Sequence, residues 1–366
     1  MKKAFVIDWL DKYGGAERVI SLIEKTFSFD EVYTLINTME ENDLKKIFSN
    51  KNIQIHQSPV KIFKKRFRFF FFTFHYFINK IKLDEEISLI FSSSHSIAKG
   101  IRKTNKKQLH ISYFQARNFN YIWEDVDLFF GKFKFLFFPL IYFLRKIDIH
   151  QAQNPDYIIA NSNFVKDWVK ERYNRQATVI YPPVDLSNFD LVNQKEDYFV
   201  AVGRIVTVKR FDVIVEAFNQ SGKKLIIIGD GDNFNKIKAI AKSNIIFTGF
   251  LESNQVKDYV GKAKAFIQVG VEGFGIAPIE AQACGTPVIA YAKGGVLETV
   301  VNGTSGLYFH KQEAPELLNA IQTFETMQFD SQKIRDNALK FSTERFQKEI
   351  KEFVDNKVNQ FKKKNL

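Results

Sequence analysis

Short apolar runs alternate with amphipathic segments along most of the chain, the pattern of parallel strands covered by helices. In the first half the runs predict strands at AFVID (4–8), EVYTLI (31–36), SLIFSSS (88–94), LHISYF (109–114) and YIIANS (157–162). In the second half they predict strands at YFVAVG (198–203), KLIIIG (224–229), IIFTG (245–249), AFIQV (265–269) and PVIAY (287–291). No repeat of solenoid length interrupts them. Between the halves, Pro182 and Pro183 in VIYPPVDLSNFDLVNQKED stop regular structure, and a polar stretch precedes a fresh buried strand. The expected boundary is therefore near residue 186. This gives an α/β chain with one domain at 1–186, a second at 187–330, and a charged amphipathic helical segment at 331–366. That last segment is expected to pack back toward the first domain and to end in a solvated KKKNL tail.

A chain of 366 residues is long enough for two cores. The single cysteine, Cys284, excludes an intramolecular disulfide and fits a reducing compartment; its small-residue setting AQACG points to a buried structural role. The opening MKKAFVIDWLDKYGG reads as a first buried strand rather than a signal peptide, because Asp8 and Asp11 interrupt the apolar run.

Net charge is +12 and unevenly spread. No acidic residue occurs between Asp43 and Asp84, where ten Lys and Arg do. Within that gap KIFKKRFRFFFFTFHYFINKIK (61–82) combines eight phenylalanines with seven basic side chains, and LFFGKFKFLFFPLIYFLRK (128–146) is built alike. Lys132, Lys134 and Arg145 keep the second from reaching the ~20 uninterrupted apolar residues of a spanning helix, and cations flank the first. Nucleic acid is disfavoured as a partner, since no nucleic-acid fold signature accompanies the stretches. A core helix with snorkelling lysines is one reading. A surface lying on an anionic membrane is the preferred one, since each basic residue near such a surface adds about 1 kcal/mol.

Candidate chemistry falls at strand ends, where ligands bind in open parallel sheets. Gly14-Gly15 follows the first strand and precedes a helix opening near Ala16, which would admit a diphosphate or simply a tight turn. It is not a GxGxxG fingerprint, so no nicotinamide cofactor is implied. Gly203-Arg204 ends a strand and Lys209 follows, a fork and a point charge suited to phosphate oxygens, or an ordinary solvated loop. EGFGIAPIEAQACGTPVIA has the layout strand, loop, helix, glycine stop, strand. Its helix should start near Ile276, with Glu272 in the preceding loop and Glu280 one turn in. Two carboxylates flanking a helix N-terminus suit a ligand with a hydroxylated ring on each side of a diphosphate, that is, a nucleotide sugar.

These segments resemble the retaining glycosyltransferases of the GT-B fold. The likeness rests on GGAERV (14–19), ANSNFV (160–165), YPPVDLSNF (181–189), GR…K (203–209), IIGDG (227–231), the EGFG segment and GGVLETVVNG (294–303), in the family's order. The resemblance implies two Rossmann-like domains with parallel sheets facing a deep cleft. It implies that Glu272 contacts the transferred sugar and Glu280 the nucleotide ribose, while Arg204 and Lys209 neutralise the leaving diphosphate. It further implies donor contacts from Phe274, Gly275 and Ile276, from Gly203, from Gly14 and Gly15 of the first domain, and from the Thr248 to Leu251 loop. Retention is usually explained by same-face attack, the leaving phosphate accepting the acceptor's proton. One departure is that Gln115 in YFQARNFNYIW stands where many relatives carry a histidine. His95, Lys99, Gln115 and Arg117 are the candidates for the acceptor side, with Ser94 beside them, and His110 is read as structural.

Asp125-Val-Asp127 and Asp230-Gly-Asp232 imitate a metal-binding DxD. Members of the resembled family generally need no metal, so none is expected, nor any cofactor beyond the nucleotide-sugar substrate. The leading expectation is a cytoplasmic enzyme peripherally bound to the inner membrane face, extending a lipid-linked or polysaccharide-precursor saccharide from GDP-mannose. The alternatives are a catalytically silent nucleotide-sugar-binding subunit and an epimerase or phosphorylase of the same architecture.

Overall fold

A computed structural model describes residues 1–50, 53–187 and 189–364, so Asn188 of the YPPVDLSNF motif and the last two residues of the KKKNL tail lie outside the described residues. The chain forms two units, Met1–Pro183 with Glu344–Leu366, and Val184–Thr343.

The first unit holds a seven-stranded sheet of β1 (Lys2–Ile7), β2 (Glu31–Thr34), β3 (Gln54–Gln57), β4 (Ile87–Ser94), β5 (Leu109–Phe114), β6 (Tyr157–Ala160) and β7 (Thr178–Val179). Its order is β3-β2-β1-β4-β5-β6-β7 and every pairing is parallel. The second unit holds β8 (Phe199–Val202), β9 (Leu225–Ile228), β10 (Ile245–Gly249), β11 (Ala265–Gln268), β12 (Val288–Tyr291) and β13 (Gly306–Phe309). Here the order is β10-β9-β8-β11-β12-β13, again all parallel. The expected pair of Rossmann-like sheets is therefore present.

Burial on both faces explains why the strands read as unbroken apolar runs. Side chains alternate across a strand, so Phe199, Ala201, Leu225 and Ile227 enter one core while Val200, Ile226 and Ile228 enter the other. Three strands escaped the sequence pattern. β3 is a polar, largely exposed edge, β7 has two residues, and β13 is a short edge strand behind the Thr304–Ser305 turn.

The segment from residue 331 onward divides. The Ser331–Leu339 helix belongs to the second unit, whereas Thr343–Lys364 buries Phe346, Ile350, Val354 and Val358 along one stripe. Phe346 meets Tyr113 edge-on, and Arg345 donates to the carbonyls of Tyr181 and Pro182. The helix thus caps the first unit.

The two aromatic basic stretches are half core and half surface. Pro59–Thr73 is a 3-10 segment broken at Lys64, and Phe67, with Phe74 and Ile78 just beyond it, is buried. Ile62, Phe69, Phe72 and Tyr76 stay exposed. The Lys134–Gln151 helix buries Ile141, Leu144, Asp148 and Gln151 and exposes Phe135, Leu136, Phe138, Tyr142 and Phe143. Phe71 touches Phe130 and Tyr121, and Phe130 touches Phe137, which joins the stretches into one aromatic region. Among the described residues no helix is long and apolar enough to cross a membrane.

Lys99 and Asp148 fasten that helix to the sheet. Both are fully buried, 2.7 Å apart, and the other Asp148 oxygen accepts from Trp123 Nε1 (2.9 Å) and Tyr173 Oη (2.6 Å). Removing one partner of such a pair strands the other charge in the core. Asp148→Ala should therefore destabilise the first unit by about 3–5 kcal/mol. Urea unfolding followed by tryptophan fluorescence, which reports on Trp123 beside the pair, checks this; a change below about 1 kcal/mol would contradict it.

Candidate functional site

The strand order of the second unit reverses between β8 and β11, the place where open α/β sheets hold ligands. The two strands pair only through Phe199 with Ala265 and Val200 with Phe266, so their carboxyl ends part. Gly203 and Arg204 leave one end, and the Gly270–Glu272 loop leaves the other. A Cβ at Gly270 would lie 2.8 Å from the Lys209 Cα, so glycine lets the short Thr207–Lys209 turn rest against this loop. Arg210 donates to Gln312 Oε1 (3.0 Å), and Gln312 donates to the Val269 carbonyl (2.8 Å), which pins the turn from behind.

Lys209 Nζ donates to Glu272 Oε1, and Gln268 Nε2 reaches the same oxygen at 2.9 Å. Both members of this ion pair keep about a quarter of their side chains exposed, 26% and 25%. At that exposure the pair adds little stability and serves to aim the carboxylate. Arg204 is exposed and makes no ion pair among the described residues, leaving a full guanidinium fork for an anion.

The EGFG loop ends in the Ile276–Ala283 helix, which starts at the expected residue. Gly275 caps it at φ 96°, a left-handed conformation that favours glycine. Pro278 sits in the first turn, where its missing N–H costs no helical bond. Phe274 is buried against Phe341 at 5.4 Å, and Glu280 is half-buried one turn in. Thr248 is the last residue but one of β10, its hydroxyl donating to the Gly249 carbonyl (3.0 Å), and Leu251 packs against the core that includes Val260 of the next helix. Gly294-Gly295 underlies the loop. A Cβ on Gly295 would sit 2.3 Å from the Phe274 Cα, and one on Gly294 2.6 Å from the Glu272 carbonyl oxygen.

In the first unit the order reverses between β1 and β4. Gly14 is the extended N-cap of the Gly15–Phe27 helix, a conformation that does not itself demand glycine. Gln115 Nε2 donates to Ser93 Oγ (2.7 Å) and to the Ala16 carbonyl (3.2 Å), tying the start of that helix to the end of β4. Asp8 directly ends β1 and is fully buried. Its carboxylate accepts from the backbone N–H groups of His95 (2.6 Å), Ser96 (2.9 Å), Ile97 (2.6 Å) and Ala98 (2.5 Å). His95 Nδ1 lies 3.0 Å from the same carboxylate. Burial alone would raise the pKa of Asp8, but His95 and these N–H groups overcome it and hold the carboxyl below its usual range.

Two of the four acceptor-side candidates are placed otherwise than expected. Lys99 is wholly buried and spent on Asp148 and the Ser96 carbonyl, so its ammonium is not available to a ligand. Arg117 exposes only 11% of its side chain; it stacks 5.1 Å over Phe164 and stands 3.8 Å from Glu124, contacts that hold the fold. His95 and Gln115 remain at the strand ends. His110 is buried against Ser92 Oγ at 2.8 Å, and burial pulls it down to about 3. Asp127 pairs with Lys134, and Asp230 accepts from the Gly231 N–H.

Sequence reasoning missed Asp8, Gln268 and the role of Gly294-Gly295. A charged residue directly closing an apolar strand was the available signal for Asp8. Gln268 is a polar residue inside the run AFIQV, which only its position four residues before Glu272 could have flagged.

Residues 185–341 match the family of glycosyl transferases group 1. The chain is 30% identical over 179 residues to an uncharacterized glycosyltransferase of Methanocaldococcus jannaschii, covering 47% of this chain and 50% of that protein. It is 28% identical over 197 residues to the O-antigen chain mannosyltransferase RfbU of Salmonella typhimurium, covering 50% and 54%. The chain thus spans about half the length of these curated relatives. Among solved structures it superposes on Anabaena HepE, crystallised in complex with UDP, with TM-score 0.70 at 18% identity, over 97% of this chain and 100% of that one. Residues 185–341 therefore belong to the glycosyl transferases group 1, and the chain that carries them has the GT-B fold.

Proposed function

We propose that the chain is a retaining, metal-independent glycosyltransferase that moves a sugar from a nucleotide-diphosphate donor to a lipid-linked or polysaccharide-precursor saccharide. The observation that carries this reading is the Lys209–Glu272–Gln268 arrangement beside Arg204 and the Ile276 helix N-terminus. A departing nucleoside diphosphate gains negative charge, which Arg204, Lys209 and the free N–H groups of that helix would stabilise. Glu272 has one oxygen committed to Lys209 and Gln268 and the other turned to no described partner, so it would accept from a sugar hydroxyl. Glu280 would take the ribose. Likeness to an O-antigen chain mannosyltransferase supports mannose as the sugar and GDP-mannose as the favoured donor.

Saturating GDP-mannose at 100 times its dissociation constant should add about 2.7 kcal/mol to stability, a shift that a thermal-melt panel against UDP-glucose and free nucleotides resolves. Arg204→Ala and Lys209→Ala should each cut transfer by about a hundredfold with unchanged far-ultraviolet circular dichroism. Near-normal turnover in both would remove them from the diphosphate role. Gln268→Leu should slow turnover by about tenfold while leaving nucleotide affinity intact, because it frees Glu272 without touching the phosphate cations. Loss of nucleotide affinity instead would place Glu272 on the nucleotide.

The proposed working surface is the inner face of a cell membrane. Phe69, Phe72, Phe133, Phe135, Leu136, Phe138 and Phe143 are all exposed, and cations lie among them in the sequence, the composition of a surface that rests on anionic lipid. The protein should sediment with anionic liposomes and not with neutral ones, more weakly as salt rises. Changing Lys64, Lys65, Arg66 and Arg68 together to serine should abolish sedimentation. Persistent binding by a folded quadruple variant would make this stretch ordinary helix surface.

A further inference from the structure

Cations of the Pro59–Thr73 segment meet two different fates. Arg68 is spent on Asp11 and lies over the Trp9 and Phe67 rings. Lys64 and Arg66 are exposed, make no ion pair among the described residues, and line a cavity of about 510 Å³ with Thr38, Ile62 and Phe63. That volume is ample for a ligand headgroup. No acidic side chain lines the cavity, and all five residues belong to the first unit, apart from the donor chemistry.

Local structure makes a hollow here rather than a charged helix face. A 3-10 helix has about three residues per turn, so residues two apart point to different sides. The break at Lys64, with φ 45° and ψ −136°, lets Ile62, Phe63, Lys64 and Arg66 surround one cavity. A left-handed φ is uncommon for a lysine, and such conformations cluster at ligand clamps. Both walls are anchored. Ser58 caps the segment, accepting from the Val60 N–H (3.2 Å) and donating to the Leu35 carbonyl (2.8 Å). Thr38, on the loop after β2, donates its N–H to the Leu10 carbonyl (2.7 Å), while its hydroxyl makes no hydrogen bond among the described residues. One wall continues into the exposed aromatic surface: Phe63 stacks on Phe70 at 3.8 Å, Phe70 meets the exposed Phe72 at 6.5 Å, and Ile62 is 71% exposed.

Resting on the membrane-surface reading, we propose that this cavity is a headgroup site for a membrane lipid that carries a dianionic phosphate. The Arg66 fork and the Lys64 ammonium bind the phosphate oxygens, and the Thr38 hydroxyl donates to a further one. The lipid chain leaves over Ile62 and along the row Phe63, Phe70 and Phe72. Two unpaired cations match two negative charges, whereas a phosphodiester would leave one of them uncompensated. A soluble phosphate would satisfy the cations but leave the aromatic row bare, which is why the occupant is a lipid. Diffuse attraction to a membrane counts charge alone; a built site tells apart headgroups presented at equal charge density.

The test sediments the full-length protein with phosphatidylcholine vesicles carrying either phosphatidic acid or phosphatidylglycerol at matched surface charge. Mildly alkaline buffer keeps the phosphomonoester close to doubly charged. The wild type should bind the phosphatidic acid vesicles about tenfold more tightly, the difference that one hydrogen bond to a charged group makes. Thr38→Val, which keeps net charge and shape, should lose most of that preference and bind phosphatidylglycerol vesicles as the wild type does. Lys64→Gly should keep its melting temperature, because glycine takes up φ 45° without steric cost, and should lose the preference too. Soluble dihexanoyl phosphatidic acid should compete with the vesicles and inorganic phosphate should not. Equal competition by inorganic phosphate would assign the cavity to a soluble phosphate and overturn the proposal. Equal binding of the two vesicles by the wild type, or a preference that survives in both variants, would overturn the headgroup site and leave the membrane surface standing. A wild type that binds no anionic vesicle would overturn the membrane-surface reading, and this one with it.

Discussion

In both units the strand order reverses beside the first strand, between β1 and β4 in one and between β8 and β11 in the other, and the placement of the candidate site residues follows from that reversal. A parallel sheet covered on both faces has no room for polar side chains along its strands. Helices that leave adjacent strands in opposite directions open a gap only at the carboxyl ends. His95, Arg204 and Glu272 are found there because only at these strand ends can polar side chains of such a sheet reach solvent, and Asp8 lies directly beneath one of them. The backbone supplies the same logic at close range: Gly270, Gly294 and Gly295 are glycine because a Cβ would collide with the loops that aim Lys209 and Glu272.

Buried charge divides into two kinds in this molecule. Asp148 is satisfied on every side by Lys99, Trp123 and Tyr173 and acts as a clasp between a helix and the sheet. Asp8 is equally buried and equally satisfied, yet one of its partners is a titratable ring with a free end. The two carboxylates differ in what stands beside them, not in depth.

Most of the architecture was legible because long apolar runs are the direct signature of doubly covered strands. LIII in β9 and LHISYF in β5 admit little else. Edge strands such as QIHQ in β3 carry no such signal, since their faces stay wet. The EGFG helix was readable near its first residue because Pro278 suits a first turn and Gly285 a stop, and the structure places the helix at Ile276–Ala283. Lys99 was misjudged for an understandable reason. SSSHSIAKG places it a few residues past a strand end, but its partner Asp148 is forty-nine residues on, in a helix whose aromatic composition hid the carboxylate. Gln268 could not be singled out because one polar residue in an apolar strand gives no hint of the contact it makes.

The capping helix has a consequence for biosynthesis. The first unit is assembled from two stretches of chain with the whole of the second unit between them. Domains of a growing chain ordinarily fold in the order in which they emerge from the ribosome. Here the second unit can close around its sheet while the first still lacks the stripe of Phe346, Ile350, Val354 and Val358 that covers it. Tyr113 stays without Phe346, and the carbonyls of Tyr181 and Pro182 without Arg345, until residues beyond the second unit have emerged. The half synthesised first thus waits for residues that lie past the whole of the second unit before its apolar stripe is covered.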